Sequence, residues 1–76
     1  MNVTNEYLWI VQDPDLIGGK PAVRGTRLAV SLILSCLSEG MDADEIIRTY
    51  GEFPKESIPE ILKFASKAVD KDDLAA

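Results

Sequence analysis

The chain has seventy-six residues, a net charge of −5, one cysteine and no histidine. These totals exclude an intrachain disulfide, argue against a zinc site, and remove the usual agent of general acid–base catalysis. A core of this size supplies only about 3–5 kcal/mol of net stability, so a partner subunit is the expected brace and a homodimer is predicted.

The longest apolar run is broken by Ser31 and Ser35 and is too short to span a bilayer. The opening MNVTNEYLW has neither the basic start nor the apolar centre of a secretory leader. The expectation is one soluble, cytoplasmic domain over residues 1–76 with no membrane contact. It divides into a β/loop arm (7–29), a three-helix core (30–69) and a frayed, charged tail (70–76).

Tyr7-Leu8-Trp9-Ile10-Val11 is aromatic and β-branched and reads as a short strand. Asp13-Pro14-Asp15 is a turn, Leu16-Ile17 either starts a one-turn helix or anchors the loop, and Gly18-Gly19-Lys20-Pro21 turns again. Ala22-Val23 is brief and extended. Arg24-Gly25-Thr26-Arg27 is a tight loop with Gly25 at the position that needs a positive φ.

From Val30 the period changes. Val30, Ile33, Leu34 and Leu37 follow one helical face, widened by Leu28 and Leu32, and Gly40 stops a first helix at about Glu39. Asp42-Ala43-Asp44-Glu45 is a capping box for a second helix, whose buried face is Ile46, Ile47 and Tyr50 and which Gly51 ends. Phe53-Pro54 breaks the chain again. The third helix starts either at Lys55, which puts Pro59 inside it, or at an N-cap Ser57, with Glu60 completing a second capping box after a 3₁₀ turn at 54–56. The second is preferred because Pro59 then falls in the first turn. Ile58, Ile61, Leu62, Ala65 and Val69 form its apolar stripe, with Phe64 beside it.

Charge is unevenly spread. Leu16 to Ser38 holds Lys20, Arg24 and Arg27 and no acid, whereas Glu39 to Glu60 holds seven acids against Arg48 and Lys55. No residue set announces catalysis. Asp42, Asp44 and Glu45 stand where a helix start favours carboxylates. Cys36 lies inside the first helix without a histidine to activate it. The GGKP and RGTR glycines miss the phosphate-loop spacing. No catalytic, cofactor or metal-binding residue is assigned, and the chain is read as a non-enzyme.

Binding residues are easier to nominate. Lys20, Arg24, Thr26 and Arg27 precede the first helix, where glycine turns and free amides suit anions. Arg24 and Arg27 either hold a nucleic-acid phosphate or pair with carboxylates of the same protein or its mate. The second and third helices can form a helix-turn-helix with Lys55, Lys63 and Lys67 toward phosphates, or simply pack in a three-helix bundle. Arg, Asn and Gln for base readout are missing from Lys55 to Val69.

The stretch DPDLIGGKPAVRGTRLAVSLILSCLSEGMDADEIIRTYGEFPKESIPEILKFA resembles the bacterial and archaeal domain of unknown function 433. Asp13, Pro14, Gly19, Pro21, Val23, Gly25, Thr26, Arg27, Leu28, Val30, Gly40, Glu45, Ile46, Tyr50, Ile58 and Leu62 carry the resemblance, from about Ile10 to Ala65. The chain departs from the family pattern at Ala29, where a capping Ser or Thr is common, and at Pro59. The resemblance implies a mainly α, three-helix, homeodomain-like or winged-helix-like DNA-binding fold with a short N-terminal β arm. It also implies a VapB-type antitoxin role: neutralising a PIN-like toxin and repressing an operon by binding DNA. On that reading Tyr7, Trp9 and Ile10 form a dimer arm. The alternative is a protein-interaction module that binds the toxin without touching nucleic acid.

Overall fold

In the computed structural model, which describes residues 7–71, the chain runs β1 (Ile10–Val11), a 3₁₀ turn (Ile17–Gly19), β2 (Ala22–Val23), α1 (Val30–Ser38), α2 (Ala43–Tyr50) and α3 (Ser57–Lys71). The fold is therefore mainly helical: three helices and a two-stranded antiparallel sheet. From residue 72 onward, the tail read as frayed lies outside the described residues.

β1 and β2 pair Ile10 with Val23 and Val11 with Ala22. On its other side Ala22 bridges to Ala29. The second hairpin, 22–29, closes through the 24–27 loop, where Val23 N–H donates to the Leu28 carbonyl and Thr26 N–H to the Val23 carbonyl. Gly25 has φ +82 there, and nothing lies within 4 Å of where its Cβ would be. A larger residue at that site is opposed by backbone conformation rather than by a neighbour. At the open end of the hairpin Val30 N–H donates to the Pro21 carbonyl at 2.9 Å, which fixes the start of α1. Ala29, the N-cap, makes no side-chain capping bond; its backbone is held by the bridge to Ala22 instead.

The helix ends follow local chemistry. α1 closes in a Schellman arrangement: Gly40, at φ +89, donates to the Leu37 carbonyl at 3.0 Å, and Met41 N–H to the Cys36 carbonyl at 3.1 Å. α2 opens on the expected reciprocal box. The Asp42 carboxylate accepts Glu45 N–H and the Glu45 carboxylate accepts Asp42 N–H, both at 2.9 Å. Gly51 ends it, donating to the Ile47 carbonyl.

α3 begins differently from the preferred sequence reading. Ser57 lies within the helix, and its buried hydroxyl donates to the Pro54 carbonyl at 2.7 Å instead of capping. Two turn bonds, Ser57 N–H to Pro54 and Ile58 N–H to Lys55, lead into the helix. Pro59 still falls in the first turn, where its missing N–H removes no helical bond.

The core joins every element. Ile10 from β1, Val23 from β2, Val30, Ile33 and Cys36 from α1, Ile46 from α2, Phe53 from the following loop and Ile61 from α3 are all buried together. Leu34 and Leu37 pack partly against this cluster, while Cys36 turns fully inward. Three residues assigned to buried faces face solvent: Tyr50 is 48% exposed, Leu62 50% and Val69 54%. The core takes Ile61 fully and Ile58 in part, so Leu62 and Val69 of the stripe remain outside.

Candidate macromolecular interface

Backbone groups of Leu8 and Trp9 are held on both edges, on one by the helical body and on the other by the hairpin loop. Trp9 N–H donates to Glu60 Oε1 at 2.6 Å and Leu8 N–H to Oε2 at 2.9 Å. On the opposite edge, Arg24 N–H donates to the Trp9 carbonyl at 2.7 Å and Arg24 Nε to the Leu8 carbonyl at 2.6 Å. The Glu60 carboxylate thus holds both residues on one edge, and on the other the Arg24 guanidinium holds Leu8 and the Arg24 backbone holds Trp9. The two bonds to Glu60 and the one from Arg24 Nε are charge-assisted, the stronger class of protein hydrogen bond. Glu60 is thus occupied by the arm and not by a capping box with Ser57.

The residues nominated from sequence separate into two groups. Arg24 is tied to Leu8 and Trp9. Thr26 Oγ1 donates to the Val23 carbonyl at 2.8 Å and accepts Leu28 N–H at 3.0 Å, which makes it a structural pin of its own loop. Lys55 Nζ lies 2.7 Å from Asp44 Oδ1, linking the start of α2 to the approach to α3. The hydrogen bond and charge of Lys55 hold the Asp44 carboxyl below the usual carboxylate range, and Asp44 raises the Lys55 amine in return.

Lys20, Arg27 and Lys63 are exposed, and none of their side chains makes a hydrogen bond or ion pair among the described residues. They are not brought together. Lys20 stands at the open end of the 22–29 hairpin, beside the start of α1. Arg27 stands in the loop that closes it. Lys63 and Lys67 are on α3, and both are exposed. The aromatic arm faces its own chain: Ile10 is 3% exposed within the core, and the Tyr7 ring meets Phe64 edge-on at 5.6 Å. Trp9 is half-buried.

Sequence reasoning missed Glu60 as the arm's anchor and Phe53 as a core residue. The Ser57-x-x-Glu60 spacing gave a local use for Glu60, and Phe53 between Gly51 and Pro54 read only as a break. Among the described residues, no group of three or more His, Cys, Asp or Glu side chains converges as a metal ion would require. Among them, no helix is long and apolar enough to cross a membrane.

These features define a small three-helix domain with a hairpin arm folded back on its last helix. A family model described as "Protein of unknown function (DUF433)" matches residues 10–65, and the chain belongs to that family. The matched span begins at the first core residue of β1 and ends within α3. Comparison with curated proteins and with solved structures found no match.

Proposed function

We propose that this chain is an antitoxin-like regulator that works first by protein contact, its acidic helical body binding a basic partner of the PIN-like toxin class. The carrying observation is the charge of the helical body, in which residues 39–60 hold seven acids against Arg48 and Lys55. Glu60 of α3 is taken up by the arm, while α2 opens with the exposed Asp44 and Glu45 in its first turn. Phosphates are repelled there, whereas a basic protein surface is attracted. In a helix-turn-helix formed by α2 and α3, α2 brings Asp44 and Glu45 against the single base Arg48, which is poor charge for phosphates.

Nucleic-acid contact is a second reading, favoured by exposed Lys20, Arg27 and Lys63. In that reading the homeodomain-like or winged-helix-like likeness has functional content, and the cations track the phosphate backbone. Both readings are intracellular and neither involves catalysis.

Co-expression with the product of the adjacent reading frame tests the first reading. A complex that survives purification and dissociates at high salt is expected, and failure to form one overturns the proposal. Retardation of the chain's own promoter fragment, with a steep salt dependence, establishes the second reading instead.

A further inference from the structure

Residues 39–60 hold seven carboxylates, and the fold already uses four of them. Asp42 and Glu45 close the capping box, Asp44 pairs with Lys55, and Glu60 holds the arm. The side chains of Glu39, Glu52 and Glu56 make no hydrogen bond or ion pair among the described residues, and all three are exposed. Both bases of this stretch are drawn to Asp44. Lys55 lies 2.7 Å from it, and the charge of Arg48 also lowers its carboxyl. Lys55 senses the charge of Glu52 as well, without pairing with it. The acidity left for a partner is therefore narrower than the total, and two of its three carboxylates, Glu52 and Glu56, stand in the turn between α2 and α3.

Tyr50, the last residue of α2, opens that turn. It continues the face of Ile46 and Ile47, yet its side chain is 48% exposed. Among the described residues its ring meets no other ring and its hydroxyl makes no hydrogen bond. Glu52 follows two positions on, at most about 7 Å away along the backbone. The residues on either side of Glu52 are fixed. Gly51 N–H donates to the Ile47 carbonyl at 3.0 Å, and Phe53 is buried in the core. Ring and carboxylate thus stand in solvent on a backbone that is already set, and binding has little left to order.

We propose that Tyr50 and Glu52 are the docking point for an arginine of a basic protein partner, its guanidinium stacked on the ring and forked onto the carboxylate. Charge selects this occupant. An open aromatic face attracts a cation, the carboxylate beside it is unengaged, and a second free one, Glu56, lies in the same turn. A phosphate or an acidic segment is repelled there, and a second copy brings the same net charge of −5. Arginine fits better than lysine, because its planar fork bonds both oxygens of a carboxylate while its flat face lies on a ring. This inference rests on the protein-contact reading and narrows it from the whole acidic body to one anchor.

Titration of the full chain with a hexa-arginine peptide at low salt, followed by amide NMR, tests it. The largest shifts should fall at Tyr50, Gly51 and Glu52, and a hexa-lysine peptide should bind more weakly. Tyr50→Ala and Glu52→Gln should each raise the dissociation constant about three- to fivefold, with helical content unchanged by circular dichroism. Tyr50→Phe keeps the ring and should bind as the unaltered chain does. Asp15→Asn removes the same charge from the arm and should have less effect than Glu52→Gln. Shifts centred on Asp42 to Glu45, equal binding of the two peptides, or indifference to both variants overturns the proposal. A Tyr50→Ala chain that loses self-association instead assigns the ring to a second copy and overturns it too. The complex with the product of the adjacent reading frame separates the anchor from the reading it rests on. A complex that forms and is unmoved by both variants overturns the anchor alone. Failure to form any complex ends the protein-contact reading, while the peptide titration still decides the anchor.

Discussion

The Glu60 carboxylate accepts the backbone N–H of Trp9 at 2.6 Å, across fifty-one positions of sequence. Its other oxygen takes Leu8 N–H, so a single side chain fixes the arm to α3. Glu60→Ala leaves two donors without their acceptor. The expected loss is about 1–3 kcal/mol of stability, read by urea denaturation. Fast hydrogen exchange at Leu8 and Trp9, with α1 still protected, should accompany it. Unchanged exchange at those amides would show that the clamp is not what holds the arm.

Arg24 and Arg27 are three residues apart and predict opposite results. Arg24→Ala removes the bond to the Leu8 carbonyl and should lower the melting temperature. Arg27→Ala, at an exposed site with no bond among the described residues, should leave it nearly unchanged. If Arg27 meets a phosphate, the same variant weakens DNA binding and flattens its salt dependence by about one ion.

Ile17 has φ +41 and is followed by Gly18 and Gly19, both also at positive φ. A β-branched residue is strained in that region. Ile17 is not among the residues packed on the core cluster, so its side chain gives little back. Ile17→Asn should therefore stabilise the fold by roughly 1 kcal/mol, visible as a higher melting temperature. Gly25→Val imposes the same strain at φ +82 and should destabilise. Gly25→Asn should be milder.

The Asp44–Lys55 pair sets a pH window. Asp44 is depressed by its hydrogen bond to Lys55 and by the charge of Lys55. Its contribution is therefore present above its unfolded pKa and is lost as pH falls through the lower folded value. Lys55 is raised by the same contact, so its contribution is present below its unfolded pKa and is lost as pH rises through the higher folded value. Between the two ranges the pair acts at full strength. Because both side chains are more than half exposed, the effect is small and screened by salt. Lys55→Met should lower the melting temperature less than Glu60→Ala does, and its effect should vanish at high salt.

Core substitutions are the severe ones. Ile61→Ala opens a cavity at a fully buried position and should cost about 2–5 kcal/mol. That is comparable to the whole of the about 3–5 kcal/mol that a core of this size supplies. Loss of a cooperative thermal transition is the expected readout.

What could be read from sequence was what neighbouring residues decide among themselves. The Asp42–Glu45 box, the Gly40 and Gly51 stops and the extended Ala22-Val23 all depend on contacts within a few positions, and all appear. The strand read over Tyr7 to Val11 shrinks to Ile10–Val11 because Leu8 and Trp9 give their N–H groups to Glu60. A spacing rule cannot weigh an acceptor that distant against a capping role close by. Tyr50, Leu62 and Val69 share a second cause. Periodicity identifies the apolar face of a helix, but the width of the core that meets it depends on how many elements reach that face. In a chain this short too few do. At the candidate interface, the sequence nominated Lys20, Arg27 and Lys63, which are exposed but not brought together. The diversion of Arg24, Thr26 and Lys55 into internal bonds was not legible, because their partners are fixed only once the hairpin and α2 are in place.

The clamp also orders events during synthesis. A ribosome delivers the arm first and Glu60 only after fifty more codons, so the nascent chain carries Leu8 and Trp9 with unanswered donors until α3 emerges. Any message truncated ahead of that codon yields a product whose arm has nothing to close on, and cellular proteases should clear it.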